Sequence, residues 1–205
     1  MLIGRHWKMG VIDALIKQTA KTKHHKAMPW NDVTAFMKEI EPRDAVSALA
    51  LRFLILTATR SGETRLAERS EINFETQTWT IPASLMKMGR PHRIPLSPQA
   101  MTILNQCKGF DETYLFPASK PNKTMSDMVF SALYKRMGLH GLTTYGFRSS
   151  FRDWCSDYAG APREVSEVAL AHVRGDMTER AYARSDLFEK RKDLMSDWGK
   201  FLFRQ

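Results

Sequence analysis

Cysteine is nearly missing from this chain. Two residues, Cys107 and Cys155, stand in 205. Their wide separation supplies neither a disulfide framework nor metal-ligand spacing. Long apolar runs are missing too, so no stretch is suited to span a bilayer. The first ten residues lack the apolar core and small-residue cleavage site of a secretory signal. Internal repeats and low-complexity segments are absent. Acidic side chains are in the minority, 22 Asp and Glu against 31 Lys and Arg. These shortages argue against a secreted disulfide scaffold, a membrane protein and a repeat array. A reducing cytoplasm fits what remains.

Hydrophobic content is 43% and charged content 26%, enough for one compact domain with its own core. The formal net charge is +9. More than half of it lies in the first thirty residues, where Arg5, Lys8, Lys17, Lys21, Lys23 and Lys26 face Asp13 alone. Such a surplus suits a polyanion, and nucleic acid is the commonest one. A solvated basic tail accounts for the charge equally well.

Residues 1–28 read as a basic leader or linker. Pro29-Trp30-Asn31-Asp32 opens a helix with Asn31 as its expected cap, and Val33, Phe36, Met37 and Ile40 mark one face. Pro42 opens a second helix, expected from Arg43 to about Thr57, with a stripe of Ala45, Leu49, Phe53 and Leu56. A short third helix starts at Ser61. Three short strands follow, Ile72–Phe74, Thr78–Ile81 and His92–Leu96, with residues 86–91 as a hairpin loop and Pro95 at an edge or strand end. Helices resume at Ser97-Pro98 and continue through 125–137, 144–158 and 162–170. A last helix from Ser185 carries Leu187, Leu194, Met195, Trp198, Phe201 and Leu202 on one side. The sum is an α+β chain, mainly α-helical, with a small three-stranded antiparallel sheet.

Six residues dispersed along this framework share one possible chemistry. Arg60 and Glu63 stand at the third helix, Lys87 in the hairpin, Arg148 on a later helix, and His172 and Tyr182 near the C-terminus. A DNA phosphodiester is negative and inert, and its pentacoordinate transition state concentrates charge on the nonbridging oxygens. Fixed cations aimed at those oxygens lower the barrier. The arginine fork suits the task because it stays protonated and donates two parallel hydrogen bonds. A tyrosine can attack, although its pKa of about 10 calls for local positive charge or a base. A lysine can protonate the leaving oxygen. Taken singly, each residue has an ordinary explanation: a helix-surface ion pair, a solvated lysine, a snorkelling arginine, a core histidine, a half-buried tyrosine.

The segments around these residues resemble the tyrosine site-specific recombinases, the phage integrase family. Thr57-Ala-Thr-Arg60-Ser-Gly-Glu63 is similar to the first arginine box. The stretch from Trp79 through Lys87 to Leu96 resembles the family's β-hairpin, with Lys87 at the catalytic lysine. Thr144-Tyr145-Gly-Phe-Arg148 resembles the second box, Leu170-Ala-His172 the Leu-Gly-His element, and Ala181-Tyr182-Ala-Arg-Ser-Asp-Leu the nucleophile region of prophage-type integrases. Five such boxes in order, from about Pro29 to the C-terminus, make the resemblance specific. It implies that Tyr182 is the nucleophile, that Arg60, Arg148 and His172 hold the phosphate, that Lys87 is the proton donor and that Glu63 supports Arg60. It implies a metal-free, cofactor-free cleavage through a 3′-phosphotyrosyl intermediate, on duplex attachment sites in a bacterial cytoplasm, in association with the nucleoid. It also implies partner protomers, four on DNA in the family, with a monomer or weak oligomer expected for an isolated fragment.

One position departs from the pattern. Tyr145 stands where the second box usually has histidine; its hydroxyl can donate to phosphate but cannot carry positive charge. A slower enzyme, or a catalytically impaired prophage remnant that only binds DNA, follows as the alternative. A topoisomerase using the same chemistry is another. Arg90 and Arg93, flanking the hairpin, are expected DNA-backbone contacts, with Arg65, Lys120 and Lys123 as weaker candidates. His24-His25, His92 and His140 offer no metal-ligand set, and Trp30, Trp79, Trp154 and Trp198 read as core. The chain begins at what resembles the family's interdomain linker. A division into 1–28, the end of a core-binding domain, and 29–205, the catalytic domain, is therefore expected.

Overall fold

The computed structural model describes residues 27–86, 89–120, 122–172 and 185–204. Nearly all of the expected linker lies outside the described residues, as do Lys87 and Tyr182. Among the described residues are eight α-helices and one three-stranded antiparallel sheet. The mainly helical α+β expectation therefore holds. The helices are α1 (Val33–Ile40), α2 (Val46–Thr57), α3 (Ser61–Arg65), α4 (Pro98–Gln106), α5 (Val129–Arg136), α6 (Thr144–Asp157), α7 (Arg163–Ala169) and α8 (Phe188–Leu202). The strands are β1 (Ile72–Asn73), β2 (Thr78–Ile81) and β3 (His92–Pro95), in spatial order β1-β2-β3.

Helix α2 is the centre of the molecule. Every residue from Ala48 to Thr57 is buried, because α1, α3, α4, α5, α6 and α8 pack around it. A helix apolar on all sides is what such a position selects. The single stripe expected for it is therefore too narrow. Ala45 is exposed and extended (φ −61°, ψ 135°), so the helix starts at Val46, not Arg43. The chain between them is occupied by a turn that closes α1, with Arg43 N donating to Ile40 O at 3.1 Å. The cap of α1 also shifts. Asp32 takes that place, since the Pro29 turn, Asp32 N to Pro29 O at 2.9 Å, already bends the chain at Asn31.

Other elements follow the sequence more closely. Ser97 caps α4, its hydroxyl accepting from Ala100 N, with Pro98 as the first helical residue. Thr143 caps α6 by accepting from Gly146 N. Helix α5 starts late, at Val129, because Thr124 pairs with Pro117 in a β-bridge and Ser126 Oγ holds Met128 N in a turn. On β2 and β3, Trp79 pairs with Ile94 and Ile81 with His92. Residues two apart share a face, so His92 lies on the inward face beside buried Ile94, and Arg93 faces outward. Pro95 closes β3, an edge strand.

Helix α8 packs along α1, α2, α4, α7 and β3. Its inner face carries Leu194, Met195, Trp198, Phe201 and Leu202, and two residues outside the expected stripe, Arg191 and Gly199. Trp198 stacks into an aromatic cluster with Trp154 (centroids 4.9 Å apart), Phe151 and Phe201, and its Nε1 donates to Ile55 O at 2.9 Å. Cys107 and Cys155 are free and buried, and burial pushes both thiols up to about 12.

Candidate active site

The site begins where α2 ends. Ala58 adopts the left-handed conformation (φ 51°), and Thr59 N returns to Leu54 O, so the chain reverses within two residues. A chain of buried hydroxyls fixes this corner: Thr57 to Thr59 at 2.9 Å and Thr59 to Thr64 at 2.8 Å. Arg60 then heads α3 in extended geometry. Glu63 binds it twice. One carboxylate oxygen accepts from the Arg60 backbone N–H at 2.7 Å and the other from Nη1 at 2.6 Å. The Glu63 side chain is 6% exposed and that of Arg60 32%, so the pair is anchored at the acid and open at the guanidinium.

Arg148 enters from α6. Spacings of three and four residues bring side chains together on a helix, so Arg148 is flanked by Tyr145 towards one side and Phe151 towards the other. Phe151 is in the core and Arg148 is only 4% exposed, whereas Tyr145 is 56% exposed. Arg148 Nη1 donates to Ala58 O and Nη2 to Leu170 O. Nε is buried and has no hydrogen-bond partner among the described residues. Burial, and then the like charge of Arg60, lower the Arg148 pKa to about 10, against the opposing pull of Glu63 and Tyr145. The group therefore remains cationic at neutral pH.

The third wall is the end of α7. Ala171, at φ 49°, turns the chain back on the helix, and His172 N donates to Glu167 O at 2.9 Å. His172 Nδ1 lies 2.7 Å from Glu167 Oε2, and Nε2 lies 3.4 Å from Arg148 Nη2. Arginine can only donate. The Glu167 carboxylate accepts from Nδ1–H, which fixes the ring and turns Nε2 towards Arg148. Arg60 Nη2 reaches Ala171 O at 3.4 Å. Two guanidiniums and an imidazole thus meet at one helix terminus, and the Glu63 carboxylate binds Arg60 and attracts Arg148 electrostatically. Arg60 Nη1 and Nη2 and Arg148 Nη1 each carry a second hydrogen beyond the one given to the protein, while Arg148 Nη2 also faces His172 Nε2. The arrangement can receive an anion with two negatively charged oxygens.

Residues 26–187 match the profile of the phage integrase family. The chain belongs to that family. Prophage integrase IntA of Escherichia coli (strain K12) is 40% identical over 148 residues, which cover 70% of this chain and 36% of IntA. Prophage integrase IntZ of the same strain is 31% identical over 215 residues, covering 96% of the chain and 52% of IntZ. The integrase of Enterobacteria phage P4 is 28% identical, covering 90% of the chain and 47% of that protein. The chain spans roughly a third to a half of the length of these relatives. No solved structure matches it.

The five cations of this integrase-family domain expected to touch DNA fall into two groups. Arg90, Lys120 and Lys123 are exposed. Arg93 and Arg65 are engaged. Arg93 donates twice to Asp186, at 2.9 and 2.8 Å, and lies over the Phe188 ring at 4.5 Å. Arg65 donates to Met125 O at 2.7 Å and Ser61 Oγ at 3.3 Å. Sequence reasoning missed three participants. Glu167 stands five residues before His172, a spacing with no helical meaning until Ala171 reverses the chain. Arg191 fills the gap in the α8 stripe between Leu187 and Leu194. It is 1% exposed, donates to the backbone oxygens of Asp186 and Arg93, and pairs with the Asp186 carboxylate at 3.1 Å. His92 was weighed only as a metal ligand, although its alternation with Ile94 marks the inward face of β3. Among the described residues, no helix is long and apolar enough to cross a membrane.

Proposed function

We propose that the domain breaks and rejoins DNA at specific sites as a tyrosine recombinase. Tyr182 attacks the scissile phosphate, the bond to the 5′ oxygen breaks, and a 3′-phosphotyrosyl ester forms. Arg60, Arg148 and His172 hold the nonbridging oxygens. Lys87 gives its proton to the departing 5′ oxygen. The ester retains the energy of the broken bond, so the hydroxyl of a second strand reverses the step and joins new partners. No metal or nucleotide cofactor takes part. The substrate is duplex DNA at attachment sites in the bacterial cytoplasm, acted on by several protomers together.

One observation carries this reading. Arg60 and Arg148 are held by protein acceptors before any ligand arrives, and their geometry leaves further N–H groups for a phosphate. Preorganised donors of this kind stabilise developing charge without reorganisation cost. A second reading, an impaired DNA-binding remnant, draws on Tyr145, whose phenol supplies no charge at the usual histidine position.

Covalent trapping separates the two. Wild type and Tyr182→Phe are incubated with nicked duplexes whose cleaved end diffuses away, then run on denaturing gels. The recombinase reading expects an adduct from wild type and none from Tyr182→Phe. An adduct that persists in Tyr182→Phe places the nucleophile elsewhere. DNA binding with no adduct, restored by Tyr145→His, supports the remnant.

A further inference from the structure

One residue holds His172 at both its main chain and its ring. The His172 backbone N–H donates to Glu167 O at 2.9 Å, and the ring Nδ1 lies 2.7 Å from Glu167 Oε2. The last carbonyls of a helix have no partner within it, and Ala171, at φ 49°, folds the chain back onto this one. The ring contact needs the same reversal, because a separation of five places two side chains on well-separated faces of a continuous helix. With main chain and Nδ1 both fixed, Nε2 has one direction left. It faces Arg148 Nη2 at 3.4 Å.

The second carboxylate oxygen is also engaged. Glu167 Oε1 lies 3.4 Å from Arg152 Nε. Arg152 follows Arg148 by four residues on α6, so the two arginines are neighbours on the helix surface. They bracket the pair from α7, Arg152 at the carboxylate and Arg148 at the imidazole. The Arg152 side chain is 54% exposed, and an ion pair standing in solvent contributes little. The contact to the ring is shorter and more sheltered, and hydrogen bonds to an ionised acceptor are the strong ones. The chemistry proposed above uses His172 and assigns nothing to Glu167.

We infer that Glu167 is a positioning residue for strand cleavage: it accepts from His172 Nδ1–H and fixes the imidazole so that Nε2 is presented to the scissile phosphate beside Arg148. This rests on the recombinase reading above. The partner of one ring nitrogen sets how the other meets a reacting group. Without the carboxylate the ring turns about its side-chain bonds, and Nε2 leaves the phosphate for part of the time. Small misplacements of this kind cost rate. Affinity for DNA comes from many phosphate contacts and is little changed by the aim of one ring.

The test compares the full chain as wild type, Glu167→Ala, Glu167→Gln, His172→Ala and the double variant that combines Glu167→Ala with His172→Ala. Three quantities are read: the rate of adduct formation on nicked duplexes, DNA affinity, and the ring nitrogen resonances of His172. Expected for Glu167→Ala is a rate lower by on the order of tenfold or more. Its affinity should stay within about threefold of wild type. Glutamine keeps an oxygen that accepts from Nδ1–H and should restore most of the rate. In the His172→Ala background the loss of Glu167 should cost nothing further, because a residue that acts through another is not additive with it. A full second loss in that background, a wild-type rate in Glu167→Ala, or equal impairment by alanine and glutamine overturns the inference. Should the alanine variant not fold, Glu167→Met removes the acceptor while keeping side-chain length. If wild type forms no adduct, the recombinase reading fails by itself. The resonances then decide on Glu167: the Nδ1 signal should be displaced in Glu167→Ala and return in Glu167→Gln, and an unmoved signal in Glu167→Ala overturns its role.

Discussion

Arg148 is buried among backbone carbonyls, which makes it an expensive residue to hold and a well-aimed one. A buried guanidinium costs free energy unless its donors are met, and Ala58 O and Leu170 O meet two of them. Tyr145, one helical turn before it, is the contrary case: exposed, able to donate, unable to carry charge. Tyr145→His should raise the adduct-forming rate by roughly tenfold, with the gain growing as pH falls below about 6.5, where an unperturbed imidazole becomes cationic. A rate unchanged at every pH would mean that this position does not touch the phosphate. His92 responds to pH in another way. Its pKa is lowered from 6.5 to about 4, first by burial and then by Arg191, with Arg148 adding to and Glu63 opposing the shift. The unfolded chain therefore binds the proton first as pH falls. The stabilisation is complete above 6.5 and is lost progressively down to about 4. The loss amounts to about 3 kcal/mol at most. Melting temperatures of wild type and His92→Gln across this window check it: the wild-type curve should fall more steeply, and parallel curves would refute the assignment.

Between the elements, α8 approaches the cap of α4 closely at Gly199. A Cβ built on Gly199 would lie 2.4 Å from Gln99 Oε1, 2.9 Å from Ser97 Oγ and 3.0 Å from Ser97 Cβ. The Gln99 side chain can swing away, but Ser97 is the residue that caps α4. Gly199→Ala gains helix propensity of about 1 kcal/mol and overpacks the contact by about 1–3 kcal/mol. The expected net result is a melting temperature lower by roughly 2–5 °C, measured by calorimetry; a higher one would show that the two helices separate freely. The same contrast between local and tertiary causes decides what was legible in the sequence. Caps such as Ser97-Pro98 and Thr143 are local chemistry and were readable, or nearly so. Arg60 with Glu63 was readable because a capping spacing is short-range. The backbone reversals at Ala58, Ala171 and Leu187 were not, because each is a non-glycine residue in left-handed geometry, imposed by what packs around it. The Glu167 brace, the Arg93–Asp186–Arg191 knot and the inward aim of His92 depend on those reversals and on strand register. The residue types of the proposed phosphate pocket were thus visible in advance, while the means of holding them were not.

At the scale of the molecule, charge is unevenly spent. Arg65, Arg93, Arg148 and Arg191 are committed to carbonyls or carboxylates of the domain itself. Arg90, Lys120 and Lys123 are exposed, and the surplus of five positive charges in residues 1–30 is additional. Contacts from such side chains to duplex DNA would be to phosphates, which position a protein without reading sequence. Each phosphate neutralised releases counterions, so affinity falls with salt in proportion to their number. With about five phosphates engaged, affinity should drop by roughly two to three orders of magnitude between about 50 and 200 mM salt. The drop should be similar for attachment-site and unrelated duplexes. Equilibrium titrations of the full chain over that range measure the slope. A flat response would require binding by base-edge or apolar contacts in place of phosphate contacts. A steep slope on unrelated DNA with a shallower one on a particular sequence would show that the domain reads bases by itself.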